Sequence, residues 1–508
     1  MKINQLKAGA VLSYISMGLG YIVSIIYTPI MLRLLGQSEY GLYNLVASVV
    51  SYLGLLSFGF GSAYVRYHSR YKVNNDEKNI AKLNGMFLTV FIVIGFIALI
   101  AGGILVINTE LIFGEKLTVN ELSTAKVLLA IMVFNLSLSF PASVFNSYIT
   151  ANEEYLFQKF LQMIRVVISP LVMLPVLLMG FKSVGMVIVT TILNITIEIS
   201  NAVFCFRKLK IEFSFHKFDF ALMKEMAIFS SYIFLESITD RINWNVDKFV
   251  LGRFRGTVAV AIYGLAAQLN SYYLSLSTAI SSVFVPRVNR MVAKNNDNIE
   301  LTILFTKVGR IQFILLSLIC TGFIFFGESF INLWAGKNYS DAYPIALLLI
   351  IPVTIPLIQS LGLEIQKAKN MHQFRSWVYL FIAITNVFLS IPLAKVYGGI
   401  GAAVGTAISL IVGNILIMNW YYHNRVGLNM LYFWRQIFKL AKGLWPPIVL
   451  GILINLLIDL SQIIIFLLSG FVYIIVFLTS IWFLGMNQFE KDLISNPFNR
   501  TFAKLKYK

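Results

Sequence analysis

The stretch from Met86 to Ile107 reads MFLTVFIVIGFIALIAGGILVI and carries no charge. It is long enough to cross a hydrocarbon core of about 30 Å. Lipid offers no partners to backbone N–H and C=O groups, so such a stretch folds as a helix that bonds them internally. The rest of the chain repeats the pattern. Of 508 residues, 58% are hydrophobic and 13% charged, with a mean hydropathy of +0.78. Soluble domains carry about 25% charged residues, so the chain reads as a membrane protein.

Fourteen helical segments are expected, near residues 8–33, 40–65, 83–107, 123–150, 155–179, 184–206, 222–247, 258–285, 303–327, 342–366, 374–396, 399–423, 436–459 and 462–486. With the N-terminus in the cytoplasm, that side receives 30 Lys and Arg, the outer side 9, and Arg165 and Arg241 lie within spans. This is the positive-inside asymmetry. The net charge of +18 therefore reflects topology and anionic head groups, and no nucleic-acid partner is expected. Cys205 and Cys320 lie far apart in apolar segments, so no disulfide framework is expected. His68, His216, His372 and His423 have no metal-ligand spacing. No metal and no cofactor are expected, and the first helix reads as retained rather than as a cleaved signal.

Connections between segments are short, none beyond roughly twenty residues. A membrane polymerase or glycosyltransferase needs a sizeable extramembrane domain, so no enzyme is expected. The longest connection, FRKLKIEFSFHKFDF near 206–220, alternates at a period of two. It reads either as a linker between two halves, or as an interfacial segment laying Phe213, Phe215, Phe218 and Phe220 into lipid with Lys208, Lys210 and Lys217 toward phosphates. A weak repeat favours two halves. At a constant shift of 217, Ala125 matches Ala342, Ala151 matches Ala368, Phe157 matches Phe374 and Pro175 matches Pro392. The YGL at Tyr40–Leu42 recurs at Tyr263–Leu265. Six spans per half is an even number, which makes the repeat parallel about an axis along the membrane normal. The expected organisation is a six-helix lobe over 1–206, a cytoplasmic interfacial linker over 207–221, a second lobe over 222–423, and two further helices with a basic cytoplasmic tail over 424–508.

The segment LESITDRINWNVDKFVLGR, 235–253, concentrates charge in this apolar chain. On a helical wheel, Glu236, Asp240, Asn243 and Asp247 fall within about a 60° stripe. Arg241, Asn245 and Lys248 form a second stripe beside it, and Leu235, Ile238, Ile242, Val246 and Phe249 gather opposite. A loop has no reason to sort residues this way, so the segment is read as the outer half of the seventh helix. Each buried Lys, Arg or Asp costs roughly 2.5–3.5 kcal/mol at a helix centre. The charges therefore face one another, water or a ligand: either a self-neutralising network that holds helices together, or the wall of a polar cavity.

Arg165 and Glu198 lie at similar depth in the fifth and sixth helices, as a bridging pair or as ligand contacts. Arg66 and Arg70 close the second helix, and Arg310 and Glu364 sit near helix ends, where snorkelling accounts for them. Hydroxyl and aromatic side chains line the first and eighth helices, among them Tyr21, Ser24, Tyr272 and Tyr273. They serve either helix packing or contacts to sugar.

MLRLLGQSEYGLYNL after the first helix and DKFVLGRFRGTVAVAIYGLAAQL after the seventh resemble the polysaccharide and oligosaccharide flippases of the multidrug/oligosaccharidyl-lipid/polysaccharide exporter superfamily. GKNYSDAYPIALLLIIPV, 336–353, resembles the stretch before their tenth helix. The resemblance implies an all-α membrane protein of about fourteen transmembrane helices, in two six-helix lobes related by a parallel repeat plus two C-terminal helices. It implies a flippase that moves undecaprenyl-pyrophosphate-linked oligosaccharide from the inner to the outer leaflet of the bacterial plasma membrane by alternating access, for surface polysaccharide. Polysaccharide polymerase and glycosyltransferases would be its partners. Asp247, Lys248 and Gly252 fall on the family motif. Arg241, Lys248, Arg165 and Arg66 are the expected phosphate contacts, and Glu236, Asp240, Asp247 and Glu198 the expected ion-coupling groups. A multidrug/cation antiporter of the same superfamily and a lipid II flippase are the alternatives.

Overall fold

The computed structural model describes residues 5–114, 116–215, 218–371, 373–493 and 495. His216, Lys217, His372 and the basic end of the chain lie outside them. The described residues form helices and no strand. In chain order these are α1 Gln5–Leu53, α2 Phe60–Val73, α3 Glu77–Ile107, α4 Thr109–Phe113, α5 Val119–Ala151, α6 Tyr155–Leu178, α7 Lys182–Arg207, α8 Phe220–Arg255 and α9 Thr257–Lys294. There follow α10 Asn298–Trp334, α11 Ala342–Ile358, α12 Ser360–Ala368, α13 Gln373–Leu410, α14 Met418–Tyr421, α15 Met430–Ala441, α16 Trp445–Leu457 and α17 Ile463–Ser480.

All fourteen expected segments fall on helix. Among the described residues, nine helical stretches are long and apolar enough to cross a membrane, or ten if the bent pair α11–α12 counts as one span. The chain is thus a multi-pass, all-α membrane protein. Five of the helices, α3, α5, α8, α10 and α15, begin where a polar side chain caps a free N–H group of the first turn. Asp76 accepts from the Asn79 N–H at 3.1 Å, Asp219 from Leu222 at 3.0 Å and Asp297 from Ile299 at 2.8 Å. Thr118 and Glu121 form a reciprocal capping box at the start of α5. The outward faces of the apolar helices stay apolar: on α3, Ile92, Val93, Phe96 and Ile100 are exposed, as lipid contact requires.

The described residues divide into two compact units. The first runs to Gly264 and includes Val387–Ala402; the second comprises Leu265–Asn386 and the residues from Ala403 onward. The first unit therefore takes in α8, which packs on α1 and α2. Its core joins α2, α3 and α5 through Tyr64, Phe87, Phe91, Phe140 and Tyr148. Tyr64 meets Phe87 edge-on at 4.8 Å between centroids, a geometry worth about 0.5–1.5 kcal/mol beyond burial.

Two expectations need correction. Arg310 does not snorkel: its side chain is 4% exposed and pairs with Glu490, itself 3% exposed. The guanidinium also donates to the Gln436 and Gly485 carbonyls, at 2.5 and 3.1 Å, so it ties α10 to α15 and to the turn after α17. The connection after α7 does not lay all four phenylalanines outward. Phe213 packs against Phe145 and Phe206, while Phe215, Phe218 and Phe220 are exposed. The Ser214 N–H donates to the Ala81 carbonyl at 2.9 Å, and only a glycine at Gly85 lets the Ser214 backbone approach α3 so closely. The period of two reports a strip docked on the first unit along one edge.

Candidate functional site

In the first unit, helices α1, α5 and α7 enclose a cavity of about 360 Å³ into which Arg241 of α8 reaches. Each helix contributes a stripe at helical spacing. Met132, Asn135, Leu136 and Ser139 come from α5, and Val187, Thr190, Thr191 and Asn194 from α7. From the C-terminal half of α1 come Tyr43, Ala47 and Val50. The wall is therefore half polar in a region of otherwise apolar helices.

Three of these side chains hold a buried oxygen with no hydrogen-bond partner: Asn135 Oδ1, Asn194 Oδ1 and Thr191 Oγ1. An orphaned buried polar atom costs about 1–3 kcal/mol. Their neighbours, by contrast, bond locally. Thr190 donates to the Met186 carbonyl at 2.8 Å and Ser139 to Leu136 at 2.7 Å. The cavity is thus lined by amide and hydroxyl side chains, with a guanidinium among them whose five donors suit carboxylate or phosphate.

Among the described residues, no acidic side chain lies within 4.0 Å of Arg241 or Lys248. Among the described residues, Arg165 and Glu198 form no ion pair within 4.0 Å. Glu198 stands one helical turn beyond Asn194, on the same stripe of α7. Asp247 is 1% exposed and accepts a hydrogen bond from the Tyr263 hydroxyl at 2.5 Å. Glu236 and Asp240 lie on exposed positions of α8 and both have interaction partners.

Other residues singled out from the sequence lie elsewhere. Arg66 stacks its guanidinium on the Phe229 ring at 4.5 Å, near Arg70 and Glu225, which are 4.0 Å apart. Tyr21 and Ser24 are half-buried on α1. Tyr272 and Tyr273 belong to the second unit. Tyr272 accepts from Gln268 at 2.6 Å, and Tyr273, 2% exposed, is bonded to the Leu316 carbonyl and to Thr354. Asn135, Asn194 and Thr191 were not singled out by sequence; a lone amide inside an apolar helix was the available signal.

The motif stretches meet within the first unit. A side chain at Gly41 would collide with the Thr257 carbonyl, so α1 and the α8–α9 junction touch backbone to backbone there, and one at Gly252 would collide with the Leu45 side chain. Glu121 joins them, accepting from Ser38 and from Thr257 at 2.6 Å each.

Known proteins are similar to this chain in sequence and in architecture. A probable flippase, AglR, of Haloferax volcanii is 23% identical over 34% of this chain, which spans 36% of that protein. A putative O-antigen transporter of Shigella flexneri is 20% identical over 77% of this chain and 91% of its own. The solved lipid II flippase MurJ, in an inward closed conformation, superposes with a TM-score of 0.74 at 17% identity, over 96% of this chain and 99% of that one. This establishes a common fold. The model of the family described as polysaccharide biosynthesis protein matches residues 6–292, more than half of the sequence, and the chain belongs to that family.

Proposed function

We propose that this protein is a flippase that carries a lipid-linked oligosaccharide, with undecaprenyl pyrophosphate as the carrier, from the inner to the outer leaflet of the bacterial plasma membrane. The observation that carries this reading is the polar cavity of the first unit, whose lining brings Arg241 together with Asn135, Thr191 and Asn194. A guanidinium without a carboxylate partner favours a multiply anionic pyrophosphate. The amide and hydroxyl oxygens suit the hydroxyls of the first sugar, and the lipid tail stays in the bilayer while the head group crosses. The names of the two curated relatives, a flippase and an O-antigen transporter, support the same assignment.

In this proposal Arg241, Lys248 and Arg165 meet phosphate, with Arg66 guarding entry. Glu198, Asp247, Glu236 and Asp240 couple transport to a proton or sodium gradient. Tyr21, Ser24 and Tyr272 offer outlying sugar contacts. Two six-helix lobes, 1–206 and 222–423, joined by 207–221 and followed by 424–508, provide alternating access, with both termini cytoplasmic. The protein transports and performs no covalent chemistry. It works beside glycosyltransferases that build the cargo and a polymerase that consumes it.

A second reading, lipid II flippase, is favoured by the near-complete superposition on MurJ. The two differ in cargo. Deletion of the gene followed by analysis of inner-leaflet lipids separates them: accumulation of oligosaccharide repeat units supports export of surface polysaccharide, and accumulation of lipid II supports the second reading. Accumulation of neither would remove both.

A further inference from the structure

A second cavity, of about 450 Å³, lies at one end of the first unit and is separate from the Arg241 cavity. It forms where α2 ends, α3 begins, α5 ends and the docked strip after α7 passes. Its walls carry Lys72 from α2, Glu77 from α3, Lys210 and Glu212 from the strip, and His68 and Tyr148 deeper in. Among the described residues, none of the two ammonium and two carboxylate groups is in an ion pair within 4.0 Å.

All four charged residues are exposed, and local structure positions the lining that carries them. Lys72 donates to Asn152 at 2.9 Å at the end of α5. The backbone of Glu212 is fixed by the Asn84 amide, which donates to its carbonyl at 2.8 Å, and Asn84 is itself held by the Tyr64 hydroxyl. Lys210 sits at φ 50°, a conformation a lysine rarely adopts. His68 is 1% exposed, and its Nδ1 has no hydrogen-bond partner. A free anion would meet the carboxylates and a free cation the ammoniums, so only a ligand with both charges can use all four groups. The cavity has the size of a small-molecule site, about 300–1,000 Å³.

We infer that this cavity binds a zwitterion bearing a phosphate and a primary ammonium, with Lys72, Lys210 and His68 toward the phosphate and Glu77 and Glu212 toward the ammonium. The helix ends around it place it where the chain leaves the bilayer, and Phe206 at the end of α7 and Phe215 of the strip are 53% and 65% exposed. These features suit the head group of a phosphatidylethanolamine-type lipid; a soluble phosphoethanolamine carries the same chemistry. The site lies outside the proposed cargo cavity, and its test uses binding rather than transport.

The full chain, purified in detergent, is equilibrated with mixed micelles holding equal phosphatidylethanolamine and phosphatidylglycerol of matched acyl chains, and retained lipid is counted by native mass spectrometry. Retention of phosphatidylethanolamine at least fivefold over phosphatidylglycerol is expected. Lys72→Met with Lys210→Met should lower that retention about tenfold, and Glu77→Gln with Glu212→Gln should abolish the preference between the two lipids. Lys210→Met alone, at an exposed side chain, covers the case in which a double variant fails to fold. Binding of glycerophosphoethanolamine without any lipid preference would assign the same site to a soluble ligand. If neither probe binds selectively, or if selectivity survives all the variants, the cavity merely solvates its charges and the inference is wrong.

Discussion

Gly36 and Gly256 interrupt the helical path in the same backbone conformation, φ 76°, ψ 168° and φ 86°, ψ −177°. Each precedes a YGL by a few residues. Gly114 with Gly336 and Gly180 with Gly398 are two further pairs of positive-φ glycines, and all three pairs are spaced by roughly 220 residues. The repeat that the sequence hinted at through scattered alanines and prolines is carried more clearly by its breaks. Chain breaks with this geometry are open to glycine and closed to almost every other residue.

Gly36→Ala should therefore cost about 1–3 kcal/mol, although nothing lies within 4 Å of the added methyl. Gly18→Ala, in helical backbone and equally open space, is the control and should be neutral or slightly stabilising. Thermal unfolding in detergent reads the difference.

The Arg310–Glu490 pair gives a second prediction. Arg310→Met or Glu490→Gln should each destabilise by about 3–5 kcal/mol, because each leaves an uncompensated buried group. Combining Arg310→Met with Glu490→Gln should cost less than the sum of the two, as measured by a double-mutant cycle on unfolding.

Asn194→Leu separates function from stability. The change removes an orphaned oxygen, so the melting temperature should hold or rise, while flipping falls at least tenfold. Equal loss of both would make Asn194 a packing residue.

Asp219 supplies the pH dependence. Its carboxyl is held below the ordinary carboxylate range by the Leu222 N–H and by Lys82, whose Nζ lies 3.2 Å away. A depressed carboxylate contributes stability above its unfolded pKa and loses it as pH falls through the folded value. The melting temperature should therefore drop below about pH 4 less steeply in Asp219→Asn than in the native chain. Identical acid slopes would remove Asp219 from the account.

Much of this was readable in advance for a physical reason. Lipid forces helices wherever the chain is apolar, and the wheel of 235–249 sorts charges that only a helix can sort, as α8 bears out. The cavity was less readable. Asn135 and Asn194 acquire meaning only when α5 and α7 bring them to one wall, and neither helix alone reveals that. Arg310 looked like a snorkelling residue because its partner lies 180 residues away. The strip after α7 hid its docking behind a plain alternation, since the decisive element, Gly85, belongs to another helix.

The most direct measurement is flipping of a lipid-linked oligosaccharide in proteoliposomes that contain the native chain or Arg241→Ala. The native chain should expose the inner-leaflet substrate to an external sugar-modifying enzyme. Arg241→Ala should insert and melt normally while flipping falls at least tenfold. Native-rate flipping by Arg241→Ala, or no flipping by the native chain, would contradict the account.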